Sequence, residues 1–414
     1  SEGKGMLSSF EAISTAIGGT VGFGNIAGVA TAVAAGGPGA IMWMWLSSLL
    51  GMILKQVEVT LGCYYRHTNE KGEYYGGPTY YMECGLGEER HWGKLWLIPA
   101  LIFGIGIFST FFVTSSNLTA SQVVAGAFGI ENINLGSFKV EGVIVMGVLL
   151  CILTYVVTSG GTKKIASLFS KLVPFMSVLY ILMGIGMIII NINRVPGVFA
   201  AIVTNAFTGT AAIGGFAGCA VSEIIRVGMA RSVYSNEAGW GTSPMIHSSA
   251  RTPHPVAQGL WGSFEVFFDT IVSCTMTALV LLCVGGSRTP ADVGQGEAMA
   301  GSAWVASCFS SCFGELGGGL VSLAMSLFAF ATIIAWFYLG SQALSYLTEG
   351  KPWKKSVQLC YGFFYLNAVF FGCVARLTLV WDLSDIFNGL MAVPNLIGLF
   401  LLRRQVEKPW EGKR

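Results

Sequence analysis

Near the start of the chain, an apolar segment with the composition of a membrane helix is interrupted by Ile17-Gly18-Gly19-Thr20-Val21-Gly22-Phe23-Gly24-Asn25-Ile26-Ala27-Gly28. Five of these twelve residues are glycine, and each glycine costs a helix interior about 1 kcal/mol relative to alanine. Within a bilayer, backbone groups released from a helix are tolerated only where they face protein or a watery cavity. The stretch therefore predicts a helix that breaks at mid-membrane and offers carbonyl and N–H groups to something small.

The composition is that of a polytopic membrane protein. Of the 414 residues, 53% are hydrophobic and 11% are charged, whereas soluble domains carry about 25% charged residues. The net charge of +2 comes without a basic tract, so the sequence predicts no nucleic-acid partner. The ten cysteines show no CxxC pair and no zinc-type spacing. All four histidines fall in predicted loops, which argues against a haem or metalloprotease site in the membrane: His67, His91, His247 and His254.

Ten apolar runs are long enough to cross a bilayer. They lie near residues 10–35, 39–65, 95–127, 140–158, 170–191, 197–228, 256–284, 318–347, 356–374 and 378–402. If the N-terminus is cytoplasmic, 20 of the 24 Lys and Arg residues fall in inner loops or at inner ends, Lys55 included. The positive-inside rule then places both chain ends in the cytoplasm of a plasma-membrane protein. The outer loop 285–317 is expected to be a mobile surface segment.

A second glycine-rich interruption lies five spans after the first, in Thr208-Gly209-Thr210-Ala211-Ala212-Ile213-Gly214-Gly215-Phe216-Ala217-Gly218. The odd offset means that the two segments cross the membrane in opposite directions. Paired broken helices in two inverted halves are a sequence signal for a transporter's binding site. The alternative is close helix packing through small residues. We predict a first repeat over 1–191, an inverted repeat over 192–404 and a cytoplasmic tail over 405–414.

Polar side chains inside the spans supply candidate ligands. Asn25 can bind a cation or a substrate through its amide, or it can form a helix–helix hydrogen bond. Thr332 and Trp336 share a helix face, which suits a pocket for a small zwitterion. Alternatively, the Thr332 hydroxyl bonds its own turn and the indole fills the core.

Acidic residues in the membrane are functional by default. Glu265 and Asp269 stand one turn apart in the seventh span. Asp269 either neutralises a cation, relays a proton, or pairs with an arginine of the same half. Glu58 and Glu223 lie toward inner helix ends, where a structural role is favoured.

The chain resembles the alanine/glycine:cation symporter family over essentially its whole length. The resemblance rests on Val21–Ala30, Gly36-Gly37-Pro38-Gly39, Gly76–Tyr81, Tyr234–Gly241, His254-Pro255 with Gln258-Gly259, and Asn388–Asn395. It implies an all-α polytopic protein of the amino acid–polyamine–cation superfamily. The implied fold is LeuT-like, with two inverted repeats of five helices in which helices one and six are broken. Family members normally carry one more helix ahead of these residues, so we expect that the native N-terminus is missing and that the full protein has eleven spans.

The resemblance also implies site residues. A sodium ion would be held by carbonyl groups of Gly18, Val21 and Ala329 and by the hydroxyl of Thr332. The N–H groups of Phe23 and Gly24 would hold the substrate carboxylate at the start of a half-helix. The implied substrate-binding set is Thr20, Gly22, Phe23, Gly24, Asn25, Gly214, Gly215, Phe216 and Trp336.

Two positions depart from the family pattern. Ala331-Thr332 carries one hydroxyl where two adjacent ones are expected. Ser115-Ser116-Asn117 stands where a glutamine often precedes the asparagine by two residues. A smaller residue there could enlarge the pocket, so glutamine remains open as a substrate.

The predicted function is secondary active import of a small neutral amino acid, alanine or glycine, driven by sodium through alternating access. We expect a monomer that uses no cofactor beyond sodium and is not an enzyme, since the spans contain no nucleophile–base–acid set. Proton coupling through Asp269 is the alternative within transport. A channel is the alternative from another class.

Overall fold

The structure, a computed structural model, describes residues 5–68, 72–111, 132–135, 138–208, 220–285, 298–372 and 377–406. Helices dominate, as expected for a chain that must satisfy its backbone hydrogen bonds within each span. The first eight are α1 Ser9–Thr20, α2 Ala27–Gly36, α3 Gly39–Tyr64, α4 Pro78–Tyr81, α5 Leu97–Gly106, α6 Gly142–Thr158, α7 Gly161–Ile190 and α8 Val195–Thr208. The next seven are α9 Val221–Asn236, α10 Thr242–His247, α11 Pro255–Val266, α12 Thr275–Val284, α13 Ala298–Thr348, α14 Lys354–Gly372 and α15 Leu377–Leu402.

Shorter elements connect these helices. The π-helical segments Met82–Glu89 and Phe267–Cys274 continue α4 and join α11 to α12. Two antiparallel hairpins pair β1 His67–Thr68 with β2 Tyr74–Tyr75, and β3 Asn132–Leu135 with β4 Phe138–Glu141.

The predicted first break is present. A capping box closes the start of α1, where the Ser8 hydroxyl accepts the N–H of Glu11 and the Glu11 carboxylate accepts the N–H of Ser8. The helix ends at Thr20, a 3₁₀ turn covers Phe23–Asn25, and α2 begins at Ala27. The glycine-rich stretch therefore divides one apolar segment into two helices.

Among the described residues, six helical segments are long and apolar enough to span a membrane. They are Gly39–Tyr64, Gly93–Phe111, Gly161–Ile190, Pro255–Val284, Gly301–Thr348 and Leu383–Gln405, while Ala27–Gly36 and Gly142–Thr158 are shorter apolar helices. The count of ten spans stays a prediction. The second predicted break, at 209–218, lies outside the described residues.

The expectation of a mobile loop over 285–317 is wrong for residues 298–317. These residues belong to α13, which bends at Gly314, where φ is 67° and ψ is −165°. Small residues there allow close packing: a side chain at Gly301 would meet α2, with the Ala27 carbonyl 3.0 Å from an added Cβ. At Gly301, therefore, the absence of a side chain serves helix packing.

One end of the bundle gathers residues 5–9, the β1–β2 hairpin and residues 247–255, and is called here the N-terminal end. The N–H groups of Met6 and Leu7 donate to the Ser249 carbonyl at 2.8 and 3.0 Å. The Arg251 N–H donates to the Leu7 carbonyl at 2.6 Å. The Arg66 guanidinium donates to the Ala250 carbonyl at 2.7 Å. Backbone hydrogen bonds thus fasten the segment before α1 to the loop after α10.

Close helix packing joins α3 to α11. A Cβ added at Gly259 would collide with the Thr60 hydroxyl and lie 2.9 Å from the Gln56 carbonyl oxygen. Gly262 meets α3 in the same way, with Val59 Cγ2 at 2.9 Å. Small residues let two membrane helices approach closely, and this contact holds α3 beside the second half of the chain.

The Gly259→Ala variant should therefore be destabilised by about 1–3 kcal/mol, because backbone atoms of α3 cannot yield to the new methyl group. The measurement is the melting temperature of the purified protein in detergent. Gly362→Ala is the matched control, since its methyl group meets nothing within 4 Å. Equal melting temperatures for the two variants would contradict the packing described.

Candidate functional site

The break after α1 is held open by a side chain. The last hydrogen bond of the helix runs from the Val21 N–H to the Ile17 carbonyl at 2.7 Å. The next donor, the Gly22 N–H, turns away and donates to Asn25 Oδ1 at 2.8 Å. The Gly18 carbonyl therefore loses the N–H that would continue the ladder, and helix ends leave such carbonyls available to other ligands.

The hydroxyl of Thr332 lies against this break. A Cβ added at Gly22 would stand 2.5 Å from Thr332 Oγ1, and one at Gly19 would stand 3.3 Å from Ala335 Cβ. Thr332 also donates to the carbonyl of Phe328, one turn earlier, at 3.1 Å. That bond uses the hydroxyl proton and leaves oxygen lone pairs for a cation.

The other predicted residues of the break and of α13 are placed as follows. Thr20, Val21, Ala329 and Trp336 are buried. The Trp336 indole meets Trp240, with ring centroids 6.3 Å apart, so the Tyr234–Gly241 run touches α13. Gly24 faces α9, where Ser235 Cα is 3.6 Å from an added Cβ. The break thus lies between α13 and α9.

Asn25 is fully engaged with the protein. Its amide nitrogen donates to Asp269 Oδ1 at 2.6 Å and to the Asp269 carbonyl at 3.1 Å. The other carboxylate oxygen of Asp269 accepts the hydroxyls of Ser235 and Thr270, both at 2.9 Å. The backbone carbonyl of Asn25 accepts the Thr277 hydroxyl at 2.8 Å. Among the described residues, these partners of Asp269 include no arginine, so the alternative of an arginine pair is not found there.

The structure does not describe every residue of the predicted site. Gly214, Gly215 and Phe216 lie outside the described residues, as does the Ser115-Ser116-Asn117 departure. Phe23 is placed by its backbone, in the 3₁₀ turn.

A buried charged cluster joins α3, α10 and α11, and sequence reasoning missed it. Lys55 Nζ lies 2.7 Å from Ser243 Oγ and 3.5 Å from Glu265 Oε1. The other oxygen of Glu265 is 3.2 Å from His247 Nε2, and His247 Nδ1 is 2.7 Å from the Gln258 amide nitrogen. Four of these side chains are fully buried, and Ser243 is 1% exposed. Lys55, which was predicted at the inner end of a helix, is therefore fully buried between helices. His247, which was predicted in a loop, is the last residue of α10.

The signal that could have revealed this cluster was Lys55 itself. A lysine within an apolar helix is rare and implies a paired or functional role.

Glu237 follows α9 in the left-handed conformation, with φ of 53°. Its carboxylate accepts the Thr242 hydroxyl at 2.6 Å. Burial raises the pKa of the Glu237 carboxyl from 4.5 to about 7, and the Lys55 ammonium partly opposes that rise. This group therefore takes up a proton near neutral pH.

Glu58 has the structural role expected for it, with different partners. One of its oxygens accepts the Gly241 N–H at 3.1 Å and the Asn395 amide. Asn395 also donates to the Gly239 carbonyl at 2.8 Å and accepts the Tyr81 hydroxyl. Glu58 thus ties α3 to the turn after α9 and to α15.

A cavity of about 1300 Å³ lies at the N-terminal end, between the α6–α7 turn and the ends of α13 and α14. Phe337 and Tyr338, one to two turns beyond Thr332, form part of its wall. Gln342, Gln358 and Lys354 add polar and charged groups.

Comparison with known proteins supports the expected family. A family model described as "Sodium:alanine symporter family" matches residues 1–411. The sodium/alanine symporter AgcS of Methanococcus maripaludis is 37% identical over 401 residues, which cover 96% of this chain and 82% of AgcS. The probable sodium/glutamine symporter GlnT of Bacillus subtilis is 38% identical over 407 residues, which cover 98% of this chain and 78% of GlnT.

A solved structure supports the fold. MhsT in complex with L-phenylalanine superposes with a TM-score of 0.64 at 14% identity, covering 99% of this chain and 91% of MhsT. At that identity the likeness concerns the fold alone, and it confirms the LeuT-like architecture. The broken first helix, its contacts with α9 and α13, and the match over almost the whole sequence lead to one conclusion: the chain belongs to the sodium:alanine symporter family and is a multi-pass membrane transporter of amino acids, not an enzyme.

Proposed function

We propose that the protein imports a small neutral amino acid, alanine or glycine, together with sodium. The observation that carries the proposal is the diverted hydrogen bond of the break. It releases the carbonyls at the end of α1 beside the Thr332 hydroxyl, in the buried interior of the bundle.

The sodium site comprises the carbonyls of Gly18, Val21 and Ala329 and the hydroxyl of Thr332. Hard cations bind oxygen ligands of this kind. Neutral ligands bind sodium weakly enough to release it, which a transport cycle requires.

The amino acid lies on the other side of the break. Its carboxylate accepts the N–H groups of Phe23 and Gly24, at the turn that leads into α2. Its ammonium is held by carbonyls near Thr20 and Gly214. Trp336 and Phe216 close the side-chain space, and Gly22 and Gly215 leave room for the ligand. Asn25 acts on this site indirectly, by shaping the turn and fixing it to Asp269.

The two repeats, 1–191 and 192–404, alternate access to this site. We place the N-terminal end in the cytoplasm, on the positive-inside distribution of Lys and Arg. The cavity beside Phe337 then offers a route toward the cell interior. Sodium draws the end of α1 against α13 before the substrate docks, so ion binding prepares the amino-acid site.

Two alternatives concern substrate and ion. GlnT is named as a probable sodium/glutamine symporter, so glutamine competes with alanine as the preferred substrate. Asp269 is fully buried and contacts the break through Asn25, so proton coupling through this carboxyl is the rival to sodium.

The defining experiment is uptake of labelled alanine by proteoliposomes under an inward sodium gradient. We expect saturable accumulation above the outside concentration, which a channel cannot produce. Replacing sodium with potassium at constant pH should remove the accumulation, and a panel of competing amino acids, including glutamine, ranks the substrates. If uptake persists in potassium, follows a pH gradient and is lost in Asp269→Asn, then protons and not sodium drive transport.

Thr332→Ala should raise the sodium concentration for half-maximal uptake by about tenfold or more. The variant loses the contact between the hydroxyl oxygen and the ion, and a contact as strong as a hydrogen bond to a charged group contributes roughly 1.5–3 kcal/mol. Thr332→Ser keeps the oxygen and should stay near wild type. Ser326→Ala is the matched control, since Ser326 makes the same kind of bond one turn back, to the Ser322 carbonyl at 2.8 Å, away from the break. An unchanged sodium dependence in Thr332→Ala would remove this hydroxyl from the site.

Gly22→Ala should abolish sodium-driven uptake while the protein remains folded. Its methyl group would stand 2.5 Å from Thr332 Oγ1, in the space assigned to the ligands. Gly28→Ala is the control, because its methyl group meets nothing within 4 Å. Uptake by Gly22→Ala at the rate of Gly28→Ala would show that neither ion nor substrate uses this space.

A further inference from the structure

We propose that His247 is a proton-binding site at the N-terminal end of the bundle, separate from the sodium and amino-acid sites, and that its protonation holds this end closed. Three features of the molecule support such a site. They are the hydrogen-bond partners of the imidazole, the buried carboxylate of Glu265 beside it, and its position beside the loop that fastens residues 5–9.

The imidazole can hold one or two protons without losing a partner. The Gln258 amide nitrogen lies 2.7 Å from Nδ1 and Glu265 Oε2 lies 3.2 Å from Nε2, so the neutral ring accepts from Gln258 and donates to Glu265. The Gln258 oxygen is buried and has no hydrogen-bond partner among the described residues. If the Gln258 side-chain amide rotates by half a turn about its last bond, that oxygen lies against Nδ1 of His247 and accepts the N–H of the charged ring.

The surroundings favour an added positive charge. The Lys55 ammonium acts electrostatically on four buried carboxyl groups, those of Glu58, Glu237, Glu265 and Asp269. A buried carboxylate without a compensating charge is strongly unfavourable, and the Lys55 ammonium lies 3.5 Å from only one oxygen of Glu265. A proton on His247 supplies a second cation in direct contact with Glu265.

The groups that face α10 come from several elements. Titratable or charged side chains on the elements packed around it are Glu11 on α1, Lys55, Glu58, Cys63, Tyr64, Tyr65 and Arg66 on or just after α3, Glu237 before α10, Glu265 on α11, and Cys308, Cys312, Glu315, Tyr338 and Tyr346 on α13. Histidine ordinarily changes charge between about pH 5 and 8. Burial raises the pKa of Glu237 to about 7, so this carboxyl also titrates in the range and is tested beside His247.

The ring is connected to the closure of the N-terminal end through the backbone. The His247 carbonyl accepts the Ala250 N–H at 3.0 Å, and the neighbouring Ser249 carbonyl accepts the N–H groups of Met6 and Leu7. The charged ring anchors this loop to Glu265 on α11. Loss of the proton weakens that anchor, so the end opens more readily at higher pH on its own side of the membrane.

The functional test varies pH inside proteoliposomes while outside pH and the sodium gradient stay fixed. Initial alanine uptake by the full chain should rise roughly threefold from about pH 6 to about pH 8 inside, as the imidazole loses its proton. His247→Gln should show no such rise. His254→Asn, a histidine change in the same loop with an amide that can still cap α11, should keep the wild-type profile, and so should Glu237→Gln.

Two uptake outcomes would overturn the assignment. One is a His247→Gln variant that is slower at every internal pH but keeps the wild-type slope, which is the mark of a purely structural histidine. The other is a flat profile in Glu237→Gln with a normal slope in His247→Gln.

A direct measurement separates this site from the transport function. Nitrogen-15 NMR of histidine-labelled protein should show an imidazole signal that titrates in wild type and disappears in His247→Gln. Its midpoint should move to lower pH in Gln258→Met, because the charged ring loses its acceptor. Absence of that signal would refute proton binding even if uptake is normal, and its presence would support proton binding even if alanine is not the substrate.

Discussion

The hydrogen bond from the Gly22 N–H to the Asn25 side chain is the interaction on which the rest of the structure depends. Glycines only lower the cost of ending a helix in the membrane, and something must still satisfy the N–H groups that are released. Asn25 does so within the same turn and then uses its amide nitrogen to hold Asp269. One side chain therefore creates a gap in the helix, satisfies its backbone, and fixes it to the second half of the chain.

Charge burial is the second constraint. Lys55, Glu58, Glu265 and Asp269 are all fully buried, and each has hydrogen-bond partners from a different segment of the chain. Such groups stabilise a fold only when every partner is in place. They therefore specify how α3, α11 and the turn after α9 fit together, whereas the surrounding apolar contacts would tolerate several arrangements.

Glycine density and hydropathy were enough to predict the membrane class, the first break and the helix that carries Thr332. Motif resemblance added the fold and family. Neither could predict the partners of Asn25, because Asp269 lies 244 residues away and the contact depends on tertiary packing. The same limit explains Lys55 and His247: hydropathy placed one at a helix end and the other in a loop, while both are buried among residues distant in sequence. The loop prediction was wrong for residues 298–317 for a related reason, since small residues favour a loop and close helix packing alike.

The hydrogen bonds of the break have one further consequence. Those that define it are local to residues 22–25, and the Asn25 carbonyl and amide anchor the turn and α2 toward Asp269 and Thr277. α1 takes no part in these hydrogen bonds, and its far end is fastened by backbone hydrogen bonds of Met6 and Leu7 and by the Ser9 hydroxyl, which donates to the Arg251 carbonyl. A movement of α1 can therefore leave the turn at residues 22–25 in place, and its energy is set by the bonds at residues 6–9 together with the packing of the buried α1 residues against α7 and α13.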